Sequence, residues 1–325
     1  MNEIINGYIL EAPFQNQNAG FSRWTYASRD GYAYFIKEFM NPIYPCSDSI
    51  SDAVRENRIN ECRIYEEKKK TLYDAINRAA DGNIVRILDF FRYKSHYYIT
   101  TELIYGENLS FEQICYLDFD TKILLCKSLI HSVSLLHRNK IVHSDLKDSN
   151  IIIKRTATGR LVPKIIDFDC SFFEYDPPTD ESDLGGDQVY LSPEGCRFIC
   201  GEDVKLSTKM DVFAIGLLCH QILTGKLPYY DTSEYDYIHE YVLDGNKVIV
   251  SQYVPNDLTY IIEKMLLCEP DQRCDLDEAV LYFDRYFSLP NETQAISSVE
   301  YADEAGCLNI SKIHTMTNWF KNEEL

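Results

Sequence analysis

The pattern of apolar and polar positions in the first third of the chain predicts β-strands. Short apolar runs at 24–27 and 32–36 lie on either side of Asp30-Gly31, a dipeptide typical of tight hairpins. Residues 84–91 and 97–101 form a second pair of strand-like runs about a polar turn. The start of the chain is therefore expected to fold mainly as an antiparallel sheet.

Helical periodicity dominates much of the remaining chain. Residues 49–82 have helical character, with Asp52 as the predicted N-cap and Gly82 as the predicted stop. A second helix is predicted from Asp120, its N-cap, to Arg138. Its apolar positions recur at the spacing of one helical face: Ile123, Cys126, Ile130, Val133 and Leu136.

Composition and charge narrow the class of protein. The chain has 325 residues, of which 45% are hydrophobic and 13% aromatic, and this argues for a large buried core. Its formal net charge is −19. We therefore expect no nucleic-acid partner, because nucleic-acid binding needs a basic surface. An acidic surface is compatible with a basic protein substrate, but it more often serves only to keep a protein in solution.

Cysteine usage and the lack of apolar spans indicate a reducing compartment. The eleven cysteines are scattered, and no Cys-x-x-Cys pair occurs. Cys196 and Cys200, the closest pair, have no His or Cys partner at zinc spacing. The N-terminus has neither the basic region nor the apolar core of a signal peptide, and no apolar run approaches the ~18 residues of a membrane span. We expect a cytoplasmic protein with no membrane partner.

The residues that suggest chemistry concentrate in one stretch, 143–150. Asn150 at its end opens an apolar run, and a second run ends at Asp167 after a turn-rich segment. Two such runs predict a β-hairpin, whose antiparallel strands bring the start of the first beside the end of the second. Asn150 and Asp167 should thus lie together, with Asp145 on the loop just before them. Two oxygen ligands and a nearby carboxylate suit a hard cation such as Mg²⁺ bound with phosphate.

A known family carries a similar stretch. Residues 143–150 are His-Ser-Asp-Leu-Lys-Asp-Ser-Asn, and residues 167–169 are Asp-Phe-Asp. They resemble the catalytic loop of eukaryotic-like protein kinases, His-Arg-Asp-Leu-Lys-x-x-Asn, and its downstream Asp-Phe-Gly. Ser144 replaces the family arginine, and Asp169 replaces the glycine. A carboxylate-rich surface hairpin is the alternative interpretation of these residues taken alone.

Further motifs follow in the family's order. Tyr-Leu-Ser-Pro-Glu at 190–194 resembles the Ala-Pro-Glu that closes the family's activation segment, and 211–216 resembles Asp-Val-Trp-Ser-x-Gly. Residues 269–273 resemble the later Asp-Pro-x-x-Arg motif. That arginine pairs with the Ala-Pro-Glu glutamate in the family, so Arg273 is expected to pair with Glu194.

The resemblance also assigns residues of the nucleotide site. In the family, a strand lysine holds the phosphates of ATP beneath a glycine-rich loop, and a helix glutamate holds that lysine. Lys37 matches the lysine, whereas only Gly20 remains of the glycine-rich loop. Glu66 is the predicted helix partner of Lys37, and the spacing leaves Glu61 and Glu67 open.

The hinge is implied by Thr-Glu-Leu-Ile at 101–104. Main-chain groups of Glu102 and Ile104 would bind the adenine edge of ATP.

The family's chemistry implies the remaining roles. Asn150 and Asp167 would hold Mg²⁺ against the phosphates of ATP. Asp145 would accept the proton of the substrate hydroxyl, and Lys147 would stabilise the charge on the transferred phosphoryl group.

The fold implied by the resemblance is α+β and bilobal. A small, mainly β N-lobe is expected over residues 1–104 and a larger, mainly α C-lobe over 105–288. Residues 289–325 would form a C-terminal tail outside the resemblance, which covers about 8–288.

The expected function is an ATP- and Mg²⁺-dependent protein serine/threonine kinase. The Lys of Asp-Leu-Lys is similar to the serine/threonine class rather than to tyrosine kinases. A pseudokinase or nucleotide-binding scaffold is one alternative, favoured by the glycine-poor loop and by Asp169. A small-molecule kinase of the aminoglycoside or choline type is another, although that class lacks the Ser-Pro-Glu, Asp211 and Arg273 framework.

Ser144 bears on regulation. In regulated family members the arginine at this position captures a phosphate on the activation segment, whereas serine is uncharged and short. Activity is therefore expected not to depend on phosphorylation of the segment's hydroxyl residues, namely Ser171, Thr179 and Ser182. Capture of such a phosphate by Arg197 or Lys205 is the alternative.

Overall fold

The N-terminal part of the chain folds as one antiparallel sheet. A computed structural model of the protein describes residues 3–16, 22–46, 51–107 and 109–287. Six strands form the sheet in the order β1-β2-β3-β4-β6-β5. They are β1 (Ile4–Ile5), β2 (Tyr8–Leu10), β3 (Ser22–Arg29), β4 (Tyr32–Phe39), β5 (Ile87–Tyr93) and β6 (His96–Glu102).

The hairpin of β3 and β4 follows from its turn. Asp30 and Gly31 both have positive φ, 55° and 81°, as a two-residue turn that matches the strand twist requires. The register is regular from Arg29 opposite Tyr32 back to Ser22 opposite Phe39. The predicted strands on both sides of this dipeptide are confirmed.

One long helix, α1 (Asp52–Ala79), follows the first four strands. Its buried face is made by Cys62, Leu72, Tyr73, Ala75, Ile76 and Ala79. Ser51 occupies the N-cap position, so the prediction of Asp52 as the cap was one residue late. Asp52 lies in the first turn, where a carboxylate complements the helix dipole. The helix ends at Ala79, and Gly82 follows with φ 96°.

Helices make up most of the C-terminal part. They are α2 (Phe111–Ile114), α3 (Phe119–Arg138), α4 (Pro193–Ile199), α5 (Lys209–Thr224), α6 (Ile238–Leu243), α7 (Asn256–Met265) and α8 (Leu276–Phe287). Two small antiparallel pairs lie among them, β7 with β10 and β8 with β9. These strands are β7 (Ile141–Val142), β8 (Ile151–Arg155), β9 (Leu161–Ile165) and β10 (Phe172–Phe173).

Two helices form the centre of this part. The side chain of Asp118 accepts from the Thr121 amide, 2.8 Å, and caps α3. The predicted cap, Asp120, lies in the first turn instead. The helix begins at Phe119, and a cap must precede the first helical residue. Helix α5 is buried along almost its whole length and ends at Thr224. Gly225 follows as its C-cap, and its φ of 78° is the left-handed form that commonly closes helices.

The order of elements, a sheet with one helix and then a helical part, is the bilobal α+β fold expected from the sequence. None of the helices in the described ranges is both long and apolar enough to cross a bilayer. The predicted lobe boundaries at 104 and 288 stay predictions. Gly20 and the proposed tail at 289–325 lie outside the described residues.

Candidate active site

Lys37 lies on β4 in the centre of the sheet, opposite Trp24 of β3 and Ile99 of β6. Its side chain is only 8% exposed. The Nζ atom donates to Oδ1 of Asp167 at 2.9 Å and to Oδ2 of Asp169 at 2.7 Å. Lys37 therefore joins the sheet to the segment that follows β9.

Asp211, in the first turn of α5, fixes the loop at 143–150 by hydrogen bonds to two of its amides. The amides of His143 and Ser144 donate to the two oxygens of this buried carboxylate, at 2.8 and 2.9 Å. The His137 ring lies 3.0 Å from the same carboxylate. Ser144 has a positive φ of 71°, a conformation that costs a non-glycine residue about 1–3 kcal/mol and persists only where the surrounding structure imposes it. The two amide bonds to Asp211 impose it here.

Asp145 is held by two side chains of its own loop. Lys147 Nζ donates to both carboxylate oxygens, at 3.1 and 2.9 Å. The Asn150 amide nitrogen donates to the Asp145 carbonyl at 2.8 Å and to its Oδ2 at 2.9 Å. Because both bonds use the nitrogen, the amide oxygen of Asn150 remains as a ligand for a cation.

The predicted hairpin of β8 and β9 is confirmed. Ile151 pairs with Ile165, and the amide of Ile166 donates to the Asn150 carbonyl at 3.0 Å. Asn150 and Asp167 therefore lie at the same end of the hairpin, as expected. Asp167 has a positive φ of 64°, and Phe168 beside it is buried against the His143 ring at 4.8 Å between centroids.

These oxygen atoms fit a magnesium ion. Asp167 and Asn150 offer a carboxylate and an amide oxygen, the ligands that Mg²⁺ prefers. Within the described ranges, no group of three or more His, Cys, Asp and Glu side chains is placed to hold a metal ion. A cation at Asp167 and Asn150 would thus take its other ligands from phosphate and water.

The charges of Lys37, Asp167 and Asp169 shift one another's pKa values. Burial raises the pKa of Asp167, but the neighbouring Lys37 ammonium outweighs this and leaves the pKa below its ordinary value. Burial and then the charge of Asp167 raise the pKa of Asp169. Burial lowers the pKa of Lys37, yet Asp169 and Asp167 reverse that shift and raise it. The cluster therefore keeps Lys37 charged.

The prediction that Glu66 pairs with Lys37 is wrong. The Glu66 carboxylate accepts from Lys70 at 2.5 Å, one turn along α1, and remains 34% exposed. The alternatives Glu61 and Glu67 are exposed as well. Successive helical residues are separated by about 100°, so apolar spacing alone did not identify the inward position.

The position that faces the site is Lys69. Its Nζ donates to the main-chain carbonyl of Asp169 at 2.6 Å and lies 5.6 Å from the centre of the Tyr73 ring. Burial lowers the pKa of Lys69, and the charge of Asp169 opposes this shift. Sequence reasoning missed this residue, although Asp169 had already been identified as a departure from the family.

The predicted hinge, residues 101–104, begins in the last two residues of β6. The Glu102 side chain accepts from Lys164 Nζ at 2.8 Å and from the Arg86 amide at 3.2 Å. Glu102 thus links the end of the sheet to β9. The main-chain roles of Glu102 and Ile104 toward adenine stay predictions.

The segment after Asp169 is anchored by its own residues. The buried Ser171 hydroxyl donates to the His143 carbonyl at 3.1 Å. The Glu174 carboxylate pairs with Lys140 at 3.1 Å and lies 3.4 Å from the amide and hydroxyl of Thr208. Arg197, one of the two candidates for phosphate capture, pairs with Glu202 at 2.7 Å.

Asp187 is a further acidic group that sequence reasoning did not identify. It lines a small cleft with Asp145, Leu146 and Tyr190. Burial lowers the pKa of Lys147, but Asp145 and then Asp187 reverse the shift and raise it.

The predicted pair of Glu194 and Arg273 is confirmed. The guanidinium donates from its two terminal nitrogens to the two carboxylate oxygens, at 2.8 and 2.7 Å. This pair ties α4, which ends the activation segment, to the loop that precedes α8.

Comparison with known proteins agrees with this geometry. The model of the protein kinase domain family matches residues 54–282. Serine/threonine-protein kinase PSK2 of Saccharomyces cerevisiae is 28% identical over 221 residues, which cover 66% of this chain and 18% of that protein. Serine/threonine-protein kinase ppk25 of Schizosaccharomyces pombe is 30% identical over 203 residues, covering 62% and 45%.

A third relative shares fewer identical residues with this chain. Calcium-dependent protein kinase 4 of Plasmodium falciparum is 26% identical over 191 residues, which cover 57% of this chain and 34% of that protein. The chain spans less than half the length of each of these three relatives. Because the family match covers more than half of the 325 residues, the chain with this lysine–aspartate cluster and this catalytic-type loop belongs to the protein kinase family.

Proposed function

We propose that the protein is a serine/threonine kinase that transfers the γ-phosphoryl group of ATP to a protein hydroxyl with Mg²⁺. The observation that carries this proposal is the fixed position of the Asp145 carboxylate, which accepts hydrogen bonds from Lys147 and Asn150 of the same loop. Phosphoryl transfer needs positioning and charge stabilisation more than covalent chemistry. A fixed carboxylate beside a fixed ammonium supplies both.

Each group has a distinct task in this proposal. Asp145 accepts the proton of the substrate hydroxyl, and Lys147 stabilises the charge that develops on the transferred group. Lys37 binds the phosphates of ATP, while Asp167 and Asn150 hold the cation. When bound, Mg²⁺ neutralises part of the phosphate charge.

The framework around the loop supports a protein substrate. Asp211 binds amides of the loop at 143–150, and the pair of Glu194 and Arg273 holds the end of the activation segment. The relatives named as serine/threonine-protein kinases support the same substrate class. The net charge of −19 is compatible with a basic substrate.

A nucleotide-binding scaffold without turnover is the second candidate. One observation favours it: Asp167, the proposed cation ligand, is held by Lys37. In that case ATP would bind and no phosphoryl group would be transferred.

Transfer from γ-labelled ATP separates these functions. We expect label on serine or threonine of protein substrates, in a reaction that requires Mg²⁺ and is lost in Asp145→Asn. Label on aminoglycosides or choline alone would show a small-molecule kinase. ATP binding with no label on any acceptor would show the scaffold.

A further inference from the structure

The carboxylates that pair with Lys37 do not come from α1, where the sequence predicted its partner. Asp167 and Asp169 are the acidic residues that pair with Lys37 among the described residues, at 2.9 and 2.7 Å. Both belong to the segment after β9, and neither belongs to α1. The helix supplies no carboxylate to this cluster within the described ranges, because Glu66 turns toward Lys70.

Helix α1 contributes a cation instead. Tyr65, Lys69 and Tyr73 recur at four-residue spacing, which puts them on one face of the helix. From this face the Lys69 ammonium reaches the carbonyl of Asp169 at 2.6 Å. Both tyrosines have a pKa raised by burial first and then by the charge of Asp169, which places Asp169 near the same face.

The cluster contains two ammonium groups and two carboxylates. Lys37 pairs with the carboxylates of Asp167 and Asp169, and the Lys69 ammonium donates to the main-chain carbonyl of Asp169. A carboxylate at position 69 would have added a third negative charge to a poorly solvated site, which is costly. The cation on α1 and the carboxylate at position 169 are therefore complementary features of one arrangement.

Asp169 can remain paired with Lys37 when a cation binds to Asp167. Asp167 is the predicted cation ligand, so its bond to Lys37 competes with cation binding. Asp169 has its carboxylate on Lys37 and its main-chain carbonyl on Lys69, so it is fixed at both ends. A charge-assisted contact of this kind orients a flexible lysine side chain.

We propose that Asp169 is the residue that positions Lys37 for the phosphates of ATP, and that α1 is coupled to the site through Lys69 rather than through a carboxylate. This inference rests on the proposed function for the role of Lys37. The glycine that the family carries at position 169 could not perform this task, since it has no side chain.

The test exchanges the charges between the two positions. The variants are Asp169→Asn, Asp169→Gly, Lys69→Glu and the double variant Asp169→Gly with Lys69→Glu, each in the full chain. Asp176→Asn is the matched control. Asp176 lies in the same segment and pairs with Lys68 of α1 at 2.8 Å, but both side chains are exposed.

Two measurements do not require turnover. The first is the Kd for ATP with Mg²⁺, by calorimetry. The second is the rate at which Lys37 is acylated by an amine-reactive reagent in the nucleotide-free protein, followed by mass spectrometry. Melting temperatures show whether each variant folds, and Asp169→Asn retains the shape of the side chain where the glycine variant does not.

We expect Asp169→Asn to raise the Kd about tenfold, the loss that corresponds to one charge-assisted hydrogen bond, and to speed acylation of Lys37. Each single variant at 69 or 169 should weaken binding, while the double variant returns to within about threefold of wild type. Asp176→Asn should change neither measurement by more than about twofold.

Three results would overturn the inference. One is an unchanged Kd and acylation rate in Asp169→Asn. Another is a double variant whose loss equals the product of the single losses. The third is a variant that weakens ATP binding only when Mg²⁺ is present, because Asp169 would then be a cation ligand. Absence of transfer by the wild type would end the proposed function alone, since both measurements still report on Lys37.

Discussion

Two buried clusters of charge in this protein are built in opposite ways. Arg273 and Glu194 have side chains that are 0% and 3% exposed, and they carry one charge of each sign. Lys37 is 8% exposed, but its partners Asp167 and Asp169 are 25% and 23% exposed. Lys37 alone faces two carboxylates. The first cluster is closed and balanced pairwise, whereas the second is open on its carboxylate side.

The guanidinium of the closed cluster has no donor left for a ligand. Besides the bidentate pair, Arg273 donates to three main-chain carbonyls and its guanidinium lies 5.1 Å from the Phe213 ring centre. The carbonyls belong to Leu267, Lys209 and Cys268. All donors are used within the protein, as a purely structural ion pair requires.

The open cluster keeps acceptor capacity on its exposed side. Each carboxylate has four lone-pair sites, and Lys37 uses one oxygen of each. Use of every guanidinium donor within the protein is typical of a structural pair, whereas the unused carboxylate lone pairs beside Lys37 would suit a cation bound with phosphate. This difference can be tested by breaking each cluster in turn.

Breaking the closed pair should have the largest effect. Glu194→Ala leaves a buried guanidinium without its counter-charge and should lower the free energy of unfolding by about 3–5 kcal/mol. Chemical denaturation measures the loss. Glu202→Ala is the control, because its pair with Arg197 is exposed on both sides, 51% and 40%; it should lose less than about 1 kcal/mol. Equal losses in the two variants would contradict a special role for burial.

Changing the catalytic loop should affect rate and spare stability. Asp145→Asn should reduce kcat at least about a hundredfold, the scale of general-base catalysis, while ATP affinity and unfolding free energy remain near wild type. Single-turnover transfer and calorimetry on the same preparation measure both. Residual turnover above about a hundredth of wild type would remove Asp145 from its assigned task.

Contacts that are local in sequence could be predicted from the residues, whereas distant ones needed the family resemblance. Asn150 and Asp167 were placed together correctly because a hairpin fixes the neighbours of its own strands, so only local sequence was needed. The pair of Glu194 and Arg273 is 79 positions apart, and the family resemblance alone predicted it.

Glu66 was predicted wrongly for a physical reason. Which side of a long helix faces a site depends on how the helix packs, and Lys69 is only three positions away from Glu66. The pairing of Lys69 with Asp169 joins α1 to a loop 100 positions later. No local pattern predicts such a contact, although the unusual Asp169 was visible in the sequence.

A third, smaller effect is expected from the protonation of a buried histidine. His220 on α5 is buried; its Nδ1 lies 2.7 Å from the Lys226 carbonyl, and its Nε2 accepts from the Ser251 amide at 3.1 Å. Both contacts suit the neutral ring, and burial lowers the pKa of His220 below its ordinary 6.5.

A depressed pKa for a base gives stability that is complete above pH 6.5 and is lost as the pH falls through the folded-state pKa. Melting temperatures from pH 7.5 to 5 should therefore fall more steeply for the wild type than for His220→Gln, with about 6.5 as the upper edge of the window. Parallel curves for the two proteins would show that His220 does not titrate in this way.

The smallest effect is expected from activation-segment phosphate. Glu174 already holds Lys140 and Thr208, and Ser144 cannot bind a phosphate as the family arginine does. Phosphatase treatment, or Thr179→Ala with Ser182→Ala, should change turnover less than about twofold, well below the tenfold that corresponds to 1.4 kcal/mol. A loss greater than about tenfold would show that phosphate orders the segment, with Lys205 as the remaining candidate for its capture.

The most direct measurement of the open cluster is the effect of Mg²⁺ on ATP affinity. Calorimetry gives the Kd for ATP with and without Mg²⁺, in the wild type and in Asp167→Asn. If the cluster receives a cation together with phosphate, Mg²⁺ should strengthen binding at least about tenfold in the wild type and less than about twofold in the variant. An equal effect of Mg²⁺ in both proteins, or none in the wild type, would contradict the assignment of Asp167 and of the cluster.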